Sequence, residues 1–186
     1  MSTGPDDVAK WISILKEEHQ QILSLISKIE SSDPVDESSL KNLFHFVEDI
    51  HHAKEENFLF PHLAHKNCLR QGGPLCSYFM SLRLDLDPLS RMRNHLQEYQ
   101  KKAGISFKKR ILPNWLTPQN PLSIPMEEHE TGHALSTALK DLMGQKNDNL
   151  KREFFKPLLY DYFALLKAHI QKEDLCLFAQ CLASLS

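Results

Sequence analysis

The segments HHAKEENFLF (His51 to Phe60) and HIQKEDLCLF (His169 to Phe178) share one skeleton: His, three residues, Glu, an acidic residue, two residues, Leu-Phe. Residues four apart on a helix lie on one face with Cβ atoms about 5 to 6 Å apart, so His51 with Glu55 and His169 with Glu173 each form a unit. Both units fall in the apolar stripe of their segments. An unpaired buried carboxylate is costly, and it escapes by taking up a proton, a counter-ion or a metal. A fold for this chain has to close helices around two such pairs and supply what neutralises them.

Apolar steps of three and four residues mark the helices. Val8, Trp11, Leu15, Ile22, Ile26 and Ile29 form one stripe between Asp7 and Glu30, with His19 inside it. Asp33 and Pro34 suit a cap and first turn, and a second helix follows through Leu40, Phe44, Val47 and Phe58 with His51 and Glu55 in its seam. From Pro61 to Pro125 the period weakens and Gly and Pro collect, so residues 67–121 read as an insertion with shorter helices around Leu75 to Leu84 and Pro88 to Lys102. A third long helix is expected from Pro125 or Met126 to Gly144, carrying His129 and His133 one turn apart, and a last one from Asp148 to Leu182, kinked at Pro157. No strand pattern competes. The expected fold is all-α: one domain over 1–186, an antiparallel up-down-up-down four-helix bundle with the extended insertion between the second and third helices.

A chain of 186 residues with formal charge -2 and pI near 6.5 offers no attraction to a polyanion, which argues against nucleic acid as a partner. No uncharged apolar run approaches the roughly 18 residues a membrane span needs, and MSTGPDDVAKW lacks the pattern of an export signal, so a cytoplasmic protein without a membrane partner is expected. Cys68, Cys76, Cys176 and Cys181 are too few and too unevenly spread for a disulfide framework and are expected as thiols. No nucleophile with a matched base and no phosphate-binding glycine loop emerges.

Four core-facing sets remain: His19, His51 with Glu55, His129 with His133, and His169 with Glu173. Imidazole plus carboxylate suits iron or manganese, whereas a structural zinc site favours thiolates and closes at four ligands. Five imidazoles and two carboxylates are too many for one tetrahedral ion and fit two ions bridged by carboxylates in a bundle core. His52 is expected on the flank of its helix, Glu56 and Asp174 behind the imidazoles, and His45, His62, His65 and His95 on surfaces or loops. Phe44, Phe58, Tyr162 and Phe178 read as packing, with a bound oxygen species as a second use of the Tyr162 hydroxyl. The KKR at Lys108 to Arg110 reads as a solvated turn.

His19, then HHAKEE..LFP, EEHETGH and HIQKED..LF, resemble the hemerythrin-like, HHE cation-binding proteins across residues 10 to 66 and 121 to 182. The resemblance implies a non-haem di-iron centre bridged by Glu55 and Glu173, with His19 and His51 on one iron and His129, His133 and His169 on the other. Manganese or zinc could substitute. The chain departs from the family pattern after its GGP turn, where some 50 further residues precede His129, and His95 is the alternate to the third-helix ligand. The implied function is binding of O2, or of nitric oxide, for storage or sensing. Two other roles fit the same scaffold: an oxidoreductase acting on nitric oxide or peroxide, or an iron donor in iron-sulfur cluster repair. A third reading is a metal- or oxygen-responsive regulatory module with a protein partner.

Overall fold

The computed structural model describes residues 5–65, 88–108, 110–116 and 120–183. Among them all regular structure is helical. Helix α1 is Pro5–Glu30. Helix α2 covers residues 37–65 and contains two π-helical turns, Phe46–His51 and Glu55–Leu59. Helix α3 is Pro88–Ala103, α4 is Ser123–Gly144, and α5 covers residues 148–183 with a π-turn at Glu173–Leu177. The expected helix at Leu75 to Leu84 lies outside the described residues.

The ends follow local chemistry. Helix α2 is capped by Asp36, whose side chain accepts from the Ser38 N–H, rather than by Asp33 as the sequence suggested. Asn147 caps α5 by accepting from the Asn149 and Leu150 N–H groups, and the helix runs on through Pro157. Gly104 closes α3 at φ 68°, a left-handed conformation that glycine adopts without a Cβ clash.

Two apolar clusters fill the interior, and a polar layer separates them. The larger joins Ile22, Ile26 and Ile29 of α1 to Leu40 through Val47 of α2, Leu135 through Leu142 of α4 and Phe154 through Ile170 of α5. The smaller joins Val8, Ile12 and Leu15 to Leu59, Phe60 and Leu63, with Met126, Phe178 and Cys181. His19, the His51–Glu55 turn, His129 and the His169–Glu173 turn fall between the two clusters on their respective helices. The insertion helix joins the larger cluster through Leu89, Met92, Leu96 and Tyr99.

The π-turns correct two expectations. In a regular helix, residue i+5 points about 140° away from residue i. In a π-turn the N–H of residue i+5 bonds to the carbonyl of residue i, which returns that residue toward the same face. The Phe60 N–H bonds to Glu55 O and the Phe178 N–H to Glu173 O, so both phenylalanines are fully buried in line with the glutamates. Phe58, placed in the seam by a 3.6-residue period, is instead 57% exposed and stacks on Trp11 with ring centroids 5.4 Å apart. By the same geometry the His52 N–H bonds to Val47 O, and His52 faces the core, not the flank.

Cys176 is disulfide-bonded, which corrects its reading as a thiol; Cys181 is buried and keeps its thiol, and Cys68 and Cys76 lie outside the described residues. No described helix is long and apolar enough to cross a membrane.

The insertion helix is tied to α5 by buried Asp161, which accepts from His95 Nδ1 at 2.6 Å and Arg91 Nη2 at 3.4 Å. Asp161→Ala should lower the free energy of unfolding by about 1 to 3 kcal/mol. Urea denaturation checks this, and hydrogen exchange should show the loss concentrated in residues 88–103.

Candidate metal centre

Inside the polar layer the side chains fall into two groups whose ligand atoms lie within 4.8 Å of one another: His19, His51, Glu55 and Glu173 in one, and His52, Glu55, His129 and His169 in the other. Glu55 belongs to both. Its Oε1 lies 3.6 Å from His51 Nε2 and its Oε2 3.3 Å from His129 Nε2. Glu173 Oε2 lies 3.2 Å from His19 Nε2 and 3.3 Å from His169 Nε2, so this carboxylate also touches both groups. His129 Nε2 and His169 Nε2 are 3.1 Å apart.

These are the spacings of ligands that share an ion. Donors about 2.1 Å from one first-row cation lie roughly 3.0 to 3.4 Å from one another in octahedral or tetrahedral arrangement. The hydrogen-bonding state agrees: Nε2 of His19, His51 and His52 and all four oxygens of Glu55 and Glu173 are buried with no aligned hydrogen-bond partner among the described residues. Buried polar atoms are normally paired, and seven converging exceptions call for a cation.

The outward nitrogens are, by contrast, well held. His19 Nδ1 donates to Asp174 at 2.9 Å, His51 Nδ1 to Glu18 at 3.0 Å, His129 Nδ1 to Glu56 at 2.8 Å and His169 Nδ1 to Glu128 at 3.0 Å. A carboxylate behind an imidazole fixes its tautomer and leaves Nε2 as the lone-pair donor. Lys54 pairs with Glu18, Lys172 with Glu128, and Arg110 with Glu56. Arg110 is exposed, as its KKR suggested, and the ion pair with Glu56 adds to that reading.

The set has an internal two-fold correspondence. Glu18 and His19 of α1 relate to His51 and Lys54 of α2 as Glu128 and His129 of α4 relate to His169 and Lys172 of α5. Each carboxylate just after a shared glutamate, Glu56 or Asp174, crosses to the histidine of the other hairpin. The aromatic cover follows the same rule: Phe178 stacks on His19 at 5.5 Å and Phe60 on His129 at 5.7 Å. The signals were in the sequence as a repeated Glu-Glu-His (17–19 and 127–129) and a lysine three residues after His51 and after His169. His52 breaks the symmetry, since Ile170 occupies its equivalent, and its ring stacks on His129 at 3.6 Å.

Of the residues singled out in the sequence, six converge here: His19, His51, Glu55, His129, His169 and Glu173. His133 is not brought to them. Its side chain is 37% exposed and its Nδ1 faces Glu48 at 3.2 Å. His95 is bonded to Asp161, and His45 is exposed beside Asp49. Tyr162 packs edge-on to Phe44 at 5.1 Å with a buried hydroxyl that has no hydrogen-bond partner; burial and the charge of Glu48 push its phenol well up.

Charge in the layer is set by burial against neighbours. Burial and the adjacent Glu173 push Glu55 well above the usual carboxylate range, while at Glu173 the imidazoles of His169 and His19 overcome burial and pull it down. Two glutamates this close do not both stay ionised unless positive charge arrives. Burial opposes the charge on His19, but Asp174 and Glu173 outweigh it and raise the group to about 9; burial lowers His51 to about 4.

A raised histidine stabilises the fold fully below its unfolded value of 6.5, and that contribution is lost as pH climbs through about 9. The metal-free protein should therefore lose up to about 3 kcal/mol between pH 6.5 and 9 through this group. Urea midpoints across that range check it. His19→Gln should flatten the slope, and so should metal loading, which occupies Nε2 without a proton.

No curated protein and no solved structure matches the chain. The model of the hemerythrin HHE cation binding domain matches residues 11–74, a stretch that includes most of α1, all of α2, and His19, His51, His52 and Glu55. Over that segment the chain is similar to the hemerythrin HHE cation binding domain.

Proposed function

We propose that the protein is a non-haem di-iron protein that binds O2, or a related diatomic such as nitric oxide, for storage or sensing. The observation that carries this reading is the pair of ligand groups sharing Glu55, with seven unsatisfied buried donor atoms turned toward one another. The proposed ligands are His19, His51, His52, Glu55, His129, His169 and Glu173. His52 takes the place that spacing had given to His133, which serves the Glu48 network instead.

The two positions are unequal. One draws imidazoles from His52, His129 and His169, the other only from His19 and His51, with both glutamates reaching across. The position with fewer protein donors leaves more room for a small exogenous ligand. Ferrous ions bound here would supply electrons and coordination to that ligand. The chain supplies the rest: the carboxylates behind each imidazole fix the donor atoms, and the apolar clusters on either side keep bulk water out.

The pairings between rods support the antiparallel four-helix arrangement. Along α1 and α5, His19 meets Asp174 while Glu30 meets Lys167 at 2.7 Å. Along α2 and α4, Glu56 meets His129 while Glu48 meets Lys140 at 3.2 Å. The insertion helix shares the larger core, which supports a single domain.

Metal analysis of anaerobically purified protein should find about two irons per chain, with a near-ultraviolet band appearing on exposure to air. One zinc per chain would overturn the reading. His52→Ala, Glu55→Ala and His169→Ala should each lose metal and lower the melting temperature, because metal bound only to the native state stabilises it, by about 4 kcal/mol at a thousandfold excess over Kd. His133→Ala and His45→Ala should keep their metal.

A further inference from the structure

Three of the four carboxylates behind the imidazoles carry a cation, and one of those cations does not come from the four long rods. Glu18 and Glu128 are held by Lys54 and Lys172 at equivalent places in the two hairpins. Glu56 is held by Arg110, which belongs to the insertion. Arg110 Nη1 donates to Glu56 Oε1 at 3.1 Å and Nη2 donates to Oε2. That same Oε1 accepts from His129 Nδ1 at 2.8 Å. The backbone N–H of residue 110 also donates to Oε1 of Glu130, next to His129 in sequence, at 3.1 Å. An unbroken line of bonds thus runs from the insertion through Arg110 and Glu56 to an imidazole whose far nitrogen faces the metal position.

The surroundings of Arg110 are open. A cleft of about 250 Å³ beside it has Glu56, Met126, Pro113 and Glu130 in its wall, and a cleft of about 930 Å³ lies between the insertion helix, residue 110 and α4. Ile111, the next residue, is 92% exposed and Leu112 is 50% exposed. Ile105 and Phe107 before it pack on the larger core and Trp115 and Leu116 after it on the smaller one; between them, where Ile111 and Leu112 bury little, the ion pair and the Glu130 bond attach the segment to the rods. Asp174, the counterpart of Glu56, faces no such guanidinium among the described residues, which makes this link an addition to the two-fold plan.

We infer that Arg110 is a positioning residue that couples the insertion to the metal position held by His129. The inference rests on the metal reading of the site. A histidine that ligates through Nε2 keeps its proton on Nδ1, so a bound ion fixes that N–H as a donor to Glu56 and keeps Glu56 aligned for Arg110. Coupling of this kind is reciprocal: metal holds the 110–116 segment against α4, and the held segment tightens metal binding.

The test is a ferrous titration under anaerobic conditions against a competing chelator, with hydrogen exchange of the 110–116 amides before and after loading. Loss of the group behind a ligand typically weakens metal by 10- to 100-fold. Arg110→Gln keeps Glu56 but loses the guanidinium that aligns it, so it should bind one of its two equivalents about tenfold more weakly, the low end of that range, with the other unchanged. Arg110→Lys should fall between, because one ammonium does not span both carboxylate oxygens. Arg93→Ala, which removes the 2.7 Å pair with Glu127 in the same region, should titrate as wild type. In wild type, ferrous ion should slow exchange in 110–116; in Arg110→Gln it should not. Unchanged affinity for both equivalents in the folded Arg110 variants overturns the coupling and leaves the metal centre standing, as does metal-independent exchange in wild type. A wild-type protein that takes up no ferrous ion overturns both.

Discussion

Glu55 and Glu173 lie among five imidazoles in a layer that apolar clusters close off from either side, and nothing in that layer except a cation satisfies all of them. The cost of leaving carboxylates and ring nitrogens unpaired in a dry interior is the constraint to which the rest of the molecule answers. Four rods each contribute to the layer, and each is apolar immediately above and below its contribution. Acidic groups stand behind the rings, and basic groups stand behind most of those acids. The alternation of charge outward from the centre lets a compact, nearly neutral chain hold so many ionisable side chains inside.

Local backbone geometry is what lets adjacent residues serve different parts of this layer. In a regular helix His51 and His52 diverge by about 100°, and only one could face the centre with Glu55. The π-turn ending at His51 brings His52 into line with Val47, so one helix delivers imidazoles to both ligand groups. The turns after Glu55 and Glu173 do the parallel service for Phe60 and Phe178, setting an aromatic ring over a histidine of the opposite hairpin or rod. The repeated Leu-Phe at the end of the two skeletons is thus the sequence trace of a repeated backbone irregularity.

The two hairpins are nearly interchangeable in their chemistry, and they depart from that equivalence at two places. His52 makes one ligand group richer in imidazole than the other. Arg110 ties one carboxylate, and not its counterpart, to the insertion. Both departures concern the same group of side chains, the one that contains His129.

The sequence by itself determined the helical class, the stripes of α1, α4 and α5, and six of the residues in the layer, because a carboxylate or imidazole inside an apolar stripe has few fates and four of them in order have fewer. It also held the repeated Glu-Glu-His and the lysine three residues after His51 and after His169. Only the tertiary structure brought His52, and not His133, to the converging side chains, because the placement turns on π-turns that a fixed 3.6-residue period does not anticipate. Only the tertiary structure found Arg110, because a salt bridge between residues 54 positions apart leaves no periodic mark. Sequence periodicity reports which face of a helix is buried; which neighbour waits there is settled when the rods and the insertion pack.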